Sequence, residues 1–321
     1  MRYTFRYTFL VLLLTSAFSC SKEQEVLSEF HGQEICFSPE LQEIPETKVS
    51  VSNWNNYGAT RPMNWSNNDK ISIIKVTESG MEDSPYTRVS SAWDSDNPLS
   101  WGAGPHDFFG IYPSDGEISI DNIDTEATPI SARVTARIPS KPIQGDTKRF
   151  FVVAGKHLDN PVGAAVNIPF KPFFTILRFA FFNWTQTTDG YNKTVKLEYL
   201  KIRADKSLTG YYSAQVDSDG TIHFQDIDND IVTSDGSTEI SYNSNADGKT
   251  LPNSSSSSGN GSYATVPVVP NHYKWVEYEF SFTVAGTTQQ PVVVRLDAES
   301  SGGFVPGTIH VINTHYPYYP Y

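Results

Sequence analysis

The chain contains little cysteine and an excess of acidic over basic residues. Only Cys20 and Cys36 occur among 321 residues, and 24 Lys plus Arg stand against 36 Asp plus Glu, a formal net charge of −12. A small disulfide-stapled domain is therefore excluded, and the length predicts about two domains that rest on burial alone. Because binding to phosphate backbones depends on clustered basic side chains, we expect no nucleic acid among the partners.

The common catalytic and metal-binding motifs are also missing from the sequence. Gly-x-Ser-x-Gly, phosphate-binding glycine loops, Cys-x-x-Cys and His-Glu-x-x-His do not occur, so we expect no enzyme activity, catalytic residue, metal or cofactor of those classes. A carbohydrate hydrolase stays open as an alternative. Its two carboxylates are recognised by a separation of roughly 5 to 10 Å in space, which a sequence does not reveal.

The first residues have the composition of an export signal. Arg2 and Arg6 precede an apolar run at 9–14, and small residues lead into Cys20. This run is too short to span a bilayer, and it predicts a signal peptide over 1–19. A cysteine at this position resembles the lipobox of bacterial lipoproteins, which predicts lipidation of Cys20 and a linker over 20–32. Ordinary secretion, with cleavage near Ala17 to Ser19, is the alternative.

The rest of the chain has the pattern of short strands. Runs such as 70–76, 108–112 and 134–138 are rich in β-formers and are bounded by Gly, Pro, Asn or Asp. Residues 276–284 alternate large apolar with polar side chains, which predicts one buried face, and the almost continuous apolar run 173–182 predicts a strand covered on both faces. Helical periodicity is rare. The sequence predicts an all-β fold of sandwich type.

Two turn-rich regions complete this organisation. Asp219-Gly220 is the best hairpin candidate, because Asp-Gly suits turns that need positive φ. Pro and Gly interrupt the strand pattern near 157–163. We therefore predict an N-terminal sandwich over 33–160 and a C-terminal sandwich over 161–321.

One segment carries a resemblance to a known family. The sequence Trp-Ser-Asn-Asn-Asp-Lys-Ile-Ser-Ile at 65–73 resembles the fimbrillin family of Bacteroidales surface lipoproteins, in its Mfa-like branch. There, a Trp precedes a Gly-Asp pair and an alternating strand. Asn68 stands in place of the Gly, and Asn also accepts left-handed geometry. Weaker matches follow in the family's order, at 35–38, 46–48, 108–113, 168–173, 266–270 and 304–307.

The resemblance implies an architecture and a location. It implies two transthyretin-like or immunoglobulin-like β-sandwich domains in tandem, on a lipoprotein that is exposed on the outer face of the cell outer membrane. The lipid on Cys20 would be the anchor. The residues after it, 21–25, resemble the acidic export tag of surface lipoproteins.

The resemblance also implies a mode of assembly. Lys48 would be the site of proteolytic processing, since Pro62 makes Arg61 a poorer substrate. The strand at 35–38, with Ile35 and Phe37, would then be exchanged for a strand of another fimbrial subunit. Prolines 317 and 320 argue against a donated stalk strand, because they lack backbone donors. The expected function is therefore a fimbrial accessory, tip or anchor subunit, or an adhesin for a host or bacterial surface ligand.

Tryptophan-rich loops suggest the first alternative function, a surface glycan-binding module, with the carbohydrate hydrolase as the second. Trp54, Tyr86 and Trp93 are the candidates for stacking on a sugar face. This hypothesis requires that their rings lie coplanar and exposed.

Overall fold

A computed structural model describes residues 30–49, 59–61, 64–139, 151–163, 165–183, 194–225, 229–243, 249–251, 262–297 and 307–316. These residues form strands and turns, and no helix occurs among them. Accordingly, none of them belongs to a helix that is long and apolar enough to cross a membrane. The predicted signal peptide and most of the linker lie outside the described residues.

The strands follow one another along the whole described chain. In order they are β1 (Phe37–Leu41), β2 (Ile44–Val49), β3 (Ala59–Arg61), β4 (Lys70–Thr77), β5 (Gly80–Val89), β6 (Ala92–Asp94), β7 (His106–Tyr112), β8 (Ile118–Asp124), β9 (Ser131–Ile138), β10 (Val152–Leu158), β11 (Val166–Pro172), β12 (Thr175–Asn183), β13 (Val195–Ala204), β14 (Thr209–Asp217), β15 (Ile222–His223), β16 (Val232–Ser237), β17 (Glu239–Asn243), β18 (Lys249–Thr250), β19 (Ser262–Val268), β20 (Trp275–Val284), β21 (Thr287–Thr288), β22 (Val292–Asp297) and β23 (Ile309–Tyr316).

Local sequence accounts for the best-formed strands. β20 buries Val276, Tyr278, Phe280 and Phe282 on one face, as its alternation predicts. β12 is buried on both faces, as its continuous apolar run predicts. The hairpin at Asp219-Gly220 is confirmed as well, since β14 and β15 pair antiparallel and Gly220 has a φ of 83°.

The strands assemble into four sheets. The first has the order β1-β11-β10-β7-β4-β5-β6 and the second the order β15-β14-β9-β8, with β16 also on β14. The third has the order β19-β12-β23-β2-β3, and the fourth the order β17-β13-β20-β21, with β18 on β13 and β22 on β20. Most pairs are antiparallel, but β1 is parallel to β11, and β23 is parallel to both β12 and β2.

Three apolar cores hold these sheets together. One lies between the third and fourth sheets and contains Phe179, Phe181, Tyr278 and Phe280. The second lies between the first and second sheets. The third lines the opposite face of the first sheet, which curls until β1 contacts β6. The fold is therefore all-β and of sandwich type, as predicted.

Several strand pairs join residues from the two sides of the predicted domain boundary between residues 160 and 161. β1 pairs with β11, β9 pairs with β14, and β2 pairs with β23. Three of the four sheets thus combine strands from both sides of that boundary. The boundary stays a prediction, and two segments cut there would each lack strands that complete their sheets.

Candidate functional site

The most distinctive site in the structure is the groove that holds residues 30–41, which we call the first-strand segment. The segment forms backbone hydrogen bonds along both of its edges. At its start, Ile35 donates a backbone hydrogen bond of 2.8 Å to Leu99, while Gln33 accepts one of 2.9 Å from Trp101. Further along, β1 pairs in parallel with β11 over Phe37↔Val166 to Leu41↔Phe170. The segment is thus an inserted strand between two backbone edges.

Side chains of the first-strand segment alternate between the core and solvent. Ile35 and Phe37 are only 1% and 8% exposed, and Pro39 is also buried, whereas Cys36 and Ser38 are exposed. The Phe37 ring packs edge-on against Tyr86 at 5.1 Å and Phe108 at 5.6 Å. This is the geometry of a strand whose backbone gives affinity and whose alternate side chains give register.

Two contacts outside the ladder hold the ends of the segment. At its start, the Phe30 ring lies so close to Gly163 that a Cβ there would be 2.2 Å from a ring carbon. Near its end, Trp65 Nε1 donates a hydrogen bond of 2.9 Å to the Pro39 carbonyl oxygen.

The turn at 65–69 positions the Trp65 side chain beside the first-strand segment. Asn68 has a φ of 69°, the left-handed conformation expected of a residue in the Gly position of the family motif. Asp69 Oδ2 accepts from Ser66 N at 2.5 Å, and Arg88 N donates to Asp69 O at 2.9 Å. The turn is therefore fastened to β5, and it places the Trp65 ring edge-on to Trp93, Tyr112 and Phe170.

The other wall of the groove is the loop over 99–106, which we call the histidine loop. His106 is fully buried, and its ring bonds to the loop backbone at Gly102 N and Gly104 O. Lys75, also buried, donates to Ser100 O at 2.6 Å and pairs with Glu82 at 3.0 Å. Burial, followed by the charge of Lys75, outweighs the Gly104 hydrogen bond and nearby carboxylates and lowers the pKa of His106.

The predicted site residues are partly brought together by the structure. Ile35 and Phe37 lie in the first-strand segment, as described above. Lys48 belongs to β2, where it stands opposite Val311 of β23, so its backbone is part of a ladder. Cys20 and Trp54 lie outside the described residues. Lipidation at Cys20 and processing at Lys48 stay predictions.

The glycan-stacking prediction is wrong for Tyr86. Its side chain is 1% exposed, and its hydroxyl oxygen accepts a hydrogen bond of 2.9 Å from Leu99 N. Burial raises the pKa of this hydroxyl. Tyr86 faces the core because the curl of the first sheet turns that face of β5 inward. Trp93 is half-buried and edge-on to Trp65, so these two rings do not form a coplanar platform.

Several residues that shape the groove were missed by sequence reasoning. Nothing local in the sequence marks Lys75 or His106 as buried. Trp65 was noted only as the first residue of the motif at 65–73, with no contact to the first-strand segment predicted. A signal did exist for it, because the motif at 65–69 fixes a turn beside a strand.

Neither of the two buried carboxyl groups among the described residues lacks a hydrogen-bond partner. Asp107 bonds to His157 at 2.8 Å, and Asp217 bonds to His223 at 2.8 Å. Nor do the described ranges contain a group of three or more His, Cys, Asp or Glu side chains placed to hold a metal ion.

Comparison with known proteins gives structural similarities at low identity. No family model matches the chain, and no curated protein matches it. Among solved structures, a Bacteroides ovatus protein provisionally described as a cell adhesion protein has a TM-score of 0.47 and 11% identity, over 86% of this chain and 92% of its own. A Bacteroides uniformis protein with the same description gives 0.46 and 15%, over 85% and 93%.

A third solved structure is a fimbrial protein from Bacteroides vulgatus. Its TM-score is 0.46 at 12% identity, over 86% of this chain and 96% of its own.

Proposed function

We propose that the chain is a non-enzymatic surface lipoprotein of fimbrillin type. It acts as an accessory, tip or anchor subunit of a fimbria, or as an adhesin, and the first-strand segment is its exchangeable strand. The observation that carries this proposal is the way the segment is held. It lies between Leu99–Trp101 and β11, it inserts alternate side chains, and it belongs to no hairpin with either neighbour.

The chemistry of the groove supports strand exchange. If the segment left, the backbone of β11 and of the histidine loop would lose its partners, and the pocket of Ile35 and Phe37 would open onto Tyr86 and Phe108. Unpaired strand edges beside an apolar pocket favour the addition of another extended strand. Another fimbrial subunit is the partner that this proposal requires.

Processing at Lys48 is the step that would free the segment. A cut there separates the first-strand segment and most of β2 from the rest of the chain. Because Lys48 lies in the β2 ladder, the protease must act on a locally opened β2 that has left β23.

A direct test uses the chain from residue 21 and a trypsin-like protease. Trimmed and untrimmed chains are mixed with a fluorescent peptide of sequence 30–43, and anisotropy is recorded. We expect capture by the trimmed chain alone, and loss of capture when the peptide carries Ile35→Asp and Phe37→Asp. Lys48→Gln should abolish trimming and capture, whereas Arg61→Gln, the matched control, should change neither. Equal binding of both peptides, or none to the trimmed chain, would contradict the proposal.

The lipid anchor is tested separately. Cells that express the full chain are fed an alkyne-tagged palmitate and probed for label and for surface exposure. Cys20→Ser should lose the label and the surface location, whereas Cys36→Ser should keep both. Label on the Cys20→Ser chain would show that lipidation lies elsewhere.

A further inference from the structure

The histidine loop holds the first-strand segment through a buried ring that has one allowed protonation state. His106 Nε2 lies 3.0 Å from Gly102 N, and Nδ1 lies 2.8 Å from Gly104 O. A peptide N–H only donates and a carbonyl oxygen only accepts. The ring must therefore be neutral, with its proton on Nδ1.

The ring determines the shape of the loop that bonds to the segment. Gly102 follows Trp101 directly, and the Trp101 ring packs edge-on to His106 at 5.1 Å. Trp101 in turn donates to Gln33 O at 2.9 Å and accepts from Gly32 N at 2.8 Å. The hydrogen bond to the ring is thus one residue away from the hydrogen bonds that retain the segment.

We infer that protonation of His106 releases the first-strand segment, so that acid opens this edge of the first sheet. A second ring proton would place two N–H groups against each other at Gly102 and would remove the hydrogen bond that closes the loop. It would also put a positive charge in the same buried region as Lys75.

The direction of the pH effect depends on whether the closed loop or the opened loop binds the proton on His106 more strongly. Burial lowers the pKa of His106 in the closed loop, whereas an opened loop returns the ring to its ordinary value of about 6.5. The closed loop therefore keeps its full stability above that value and loses it as pH falls below. With one proton involved, the open population rises at most about tenfold per pH unit.

Other charged groups around the ring act on the same equilibrium. Lys75 of β4 disfavours the protonated ring, while Glu82 of β5 and Asp107 of β7 favour it. Asp107 is already bonded to His157 of β10. On the segment itself, His31 and Glu34 are exposed. Lys75, Glu82 and Asp107 shift the midpoint, but the hydrogen bond that protonation removes is the one between His106 and Gly102.

Release of the segment is a property of this chain alone, and only its use in assembly rests on the proposed function. Release of the segment is measured by hydrogen exchange and mass spectrometry on the chain from residue 21. The exchange is recorded at several pH values between 7.5 and 5 and is corrected for the intrinsic rate at each pH. We expect protection of residues 30–41 to fall up to about tenfold per pH unit below about 6.5. Protection of β13 and β20 should stay constant over the same range.

Three variants separate His106 from the other histidines. His106→Gln should give weaker protection that no longer depends on pH, because the amide does not titrate. His157→Gln and His31→Gln should keep the wild-type slope. A flat wild-type profile, or a slope that persists in His106→Gln, would overturn the inference.

A second measurement covers the case in which His106→Gln fails to fold. NMR titration of the wild-type histidine rings should give a His106 midpoint below about 6.5, with protection at 30–41 already falling between 6.5 and that midpoint, and a His106 midpoint at or above 6.5 would overturn the inference. Release without capture of the 30–43 peptide by a trimmed chain would count against the proposed function alone.

Discussion

The indole nitrogen of Trp65 donates its hydrogen bond to the backbone of β1, at the carbonyl oxygen of Pro39. Trp65 is therefore bound to the strand that we propose to be exchanged. Its ring also rests on Phe170 of β11, the strand that pairs with β1. One side chain thus fixes both the register of β1 and its distance from its neighbour.

Trp65→Phe tests this role. Phenylalanine keeps an aromatic ring but removes the indole donor, so Pro39 O loses a partner at a cost of about 1 kcal/mol. We expect amides of residues 37–41 to exchange faster by roughly fivefold, which is that free energy converted at room temperature. Trp93→Phe is the matched control, because it changes a ring that packs edge-on to Trp65 and leaves the Trp65–Pro39 hydrogen bond in place. Equal effects of the two variants would show that packing alone matters.

Gly155→Ala tests the contact between the first and second sheets. A Cβ at Gly155 would lie 2.0 Å from the Asp217 carbonyl oxygen and 2.9 Å from Gly220 N, both backbone atoms of the β14–β15 hairpin. Backbone does not move aside as a flexible side chain does, so we expect a loss of about 3 kcal/mol or more in the free energy of unfolding. Gly102→Ala, whose Cβ would meet no atom nearer than 3.5 Å, should cost under about 1 kcal/mol. Denaturant titration measures both.

Much of this architecture could be predicted from local sequence. The alternation in β20, the double burial of β12 and the turn at Asp219-Gly220 are properties of short segments. The left-handed Asn68 follows from the family motif. All four could be predicted because the determining residues are close in sequence.

The remaining features depend on residues that are far apart in the chain. The parallel pairing of β2 with β23 joins Lys48 to Val311, and nothing local to either residue encodes it. Tyr86 was misjudged because the curl of the first sheet decides which face of β5 is buried. The buried state of His106 depends in the same way on the loop that closes over it.

A polar network beside Asn271 gives the third prediction. Asn271 is buried, and its Nδ2 donates to Ser207 O at 3.0 Å and to Asp230 Oδ1 at 3.2 Å. Asn271→Ala should cost about 1 to 3 kcal/mol in the free energy of unfolding, because Ile231 N loses its hydrogen bond to Asn271 Oδ1 and the buried Ser207 carbonyl oxygen keeps only the Tyr273 hydroxyl of these two donors. Asp230→Asn should cost less, since Asp230 is exposed and solvent screens its charge. A larger cost for Asp230→Asn would contradict this ranking.

The contribution of the Asp230 carboxylate to stability can be measured by repeating the denaturant titrations of the wild-type chain and Asp230→Asn at several acidic pH values. Although Asp230 is exposed as a residue, its carboxyl oxygens are partly shielded from water by Ser207 and Asn271. This partial desolvation would raise the pKa of the carboxyl, but hydrogen bonds from Ser207, Val232 and Asn271 outweigh that effect and lower it. The stabilisation is therefore present above the ordinary carboxyl pKa and is lost as pH falls through the lowered value. Below that range, the wild-type chain and Asp230→Asn should converge in stability, and a constant difference down to the lowest pH would refute the assignment.

His157 is expected to respond to pH in the opposite direction to His106. Its Nδ1 bonds to the buried carboxylate of Asp107 at 2.8 Å, and this hydrogen bond, aided by Asp159, raises the pKa of His157. The ion pair therefore stabilises the fold below the ordinary histidine pKa, and the effect is lost as pH rises through the raised value. His157→Gln should lower the free energy of unfolding at pH 6 but change it little at pH 8.5. Because the side chain is 44% exposed, screening keeps the difference below about 1 kcal/mol. Denaturant titrations at the two pH values measure this difference in the free energy of unfolding. If His157→Gln lost more stability at pH 8.5 than at pH 6, the charged pair with Asp107 would not be the source of the stabilisation.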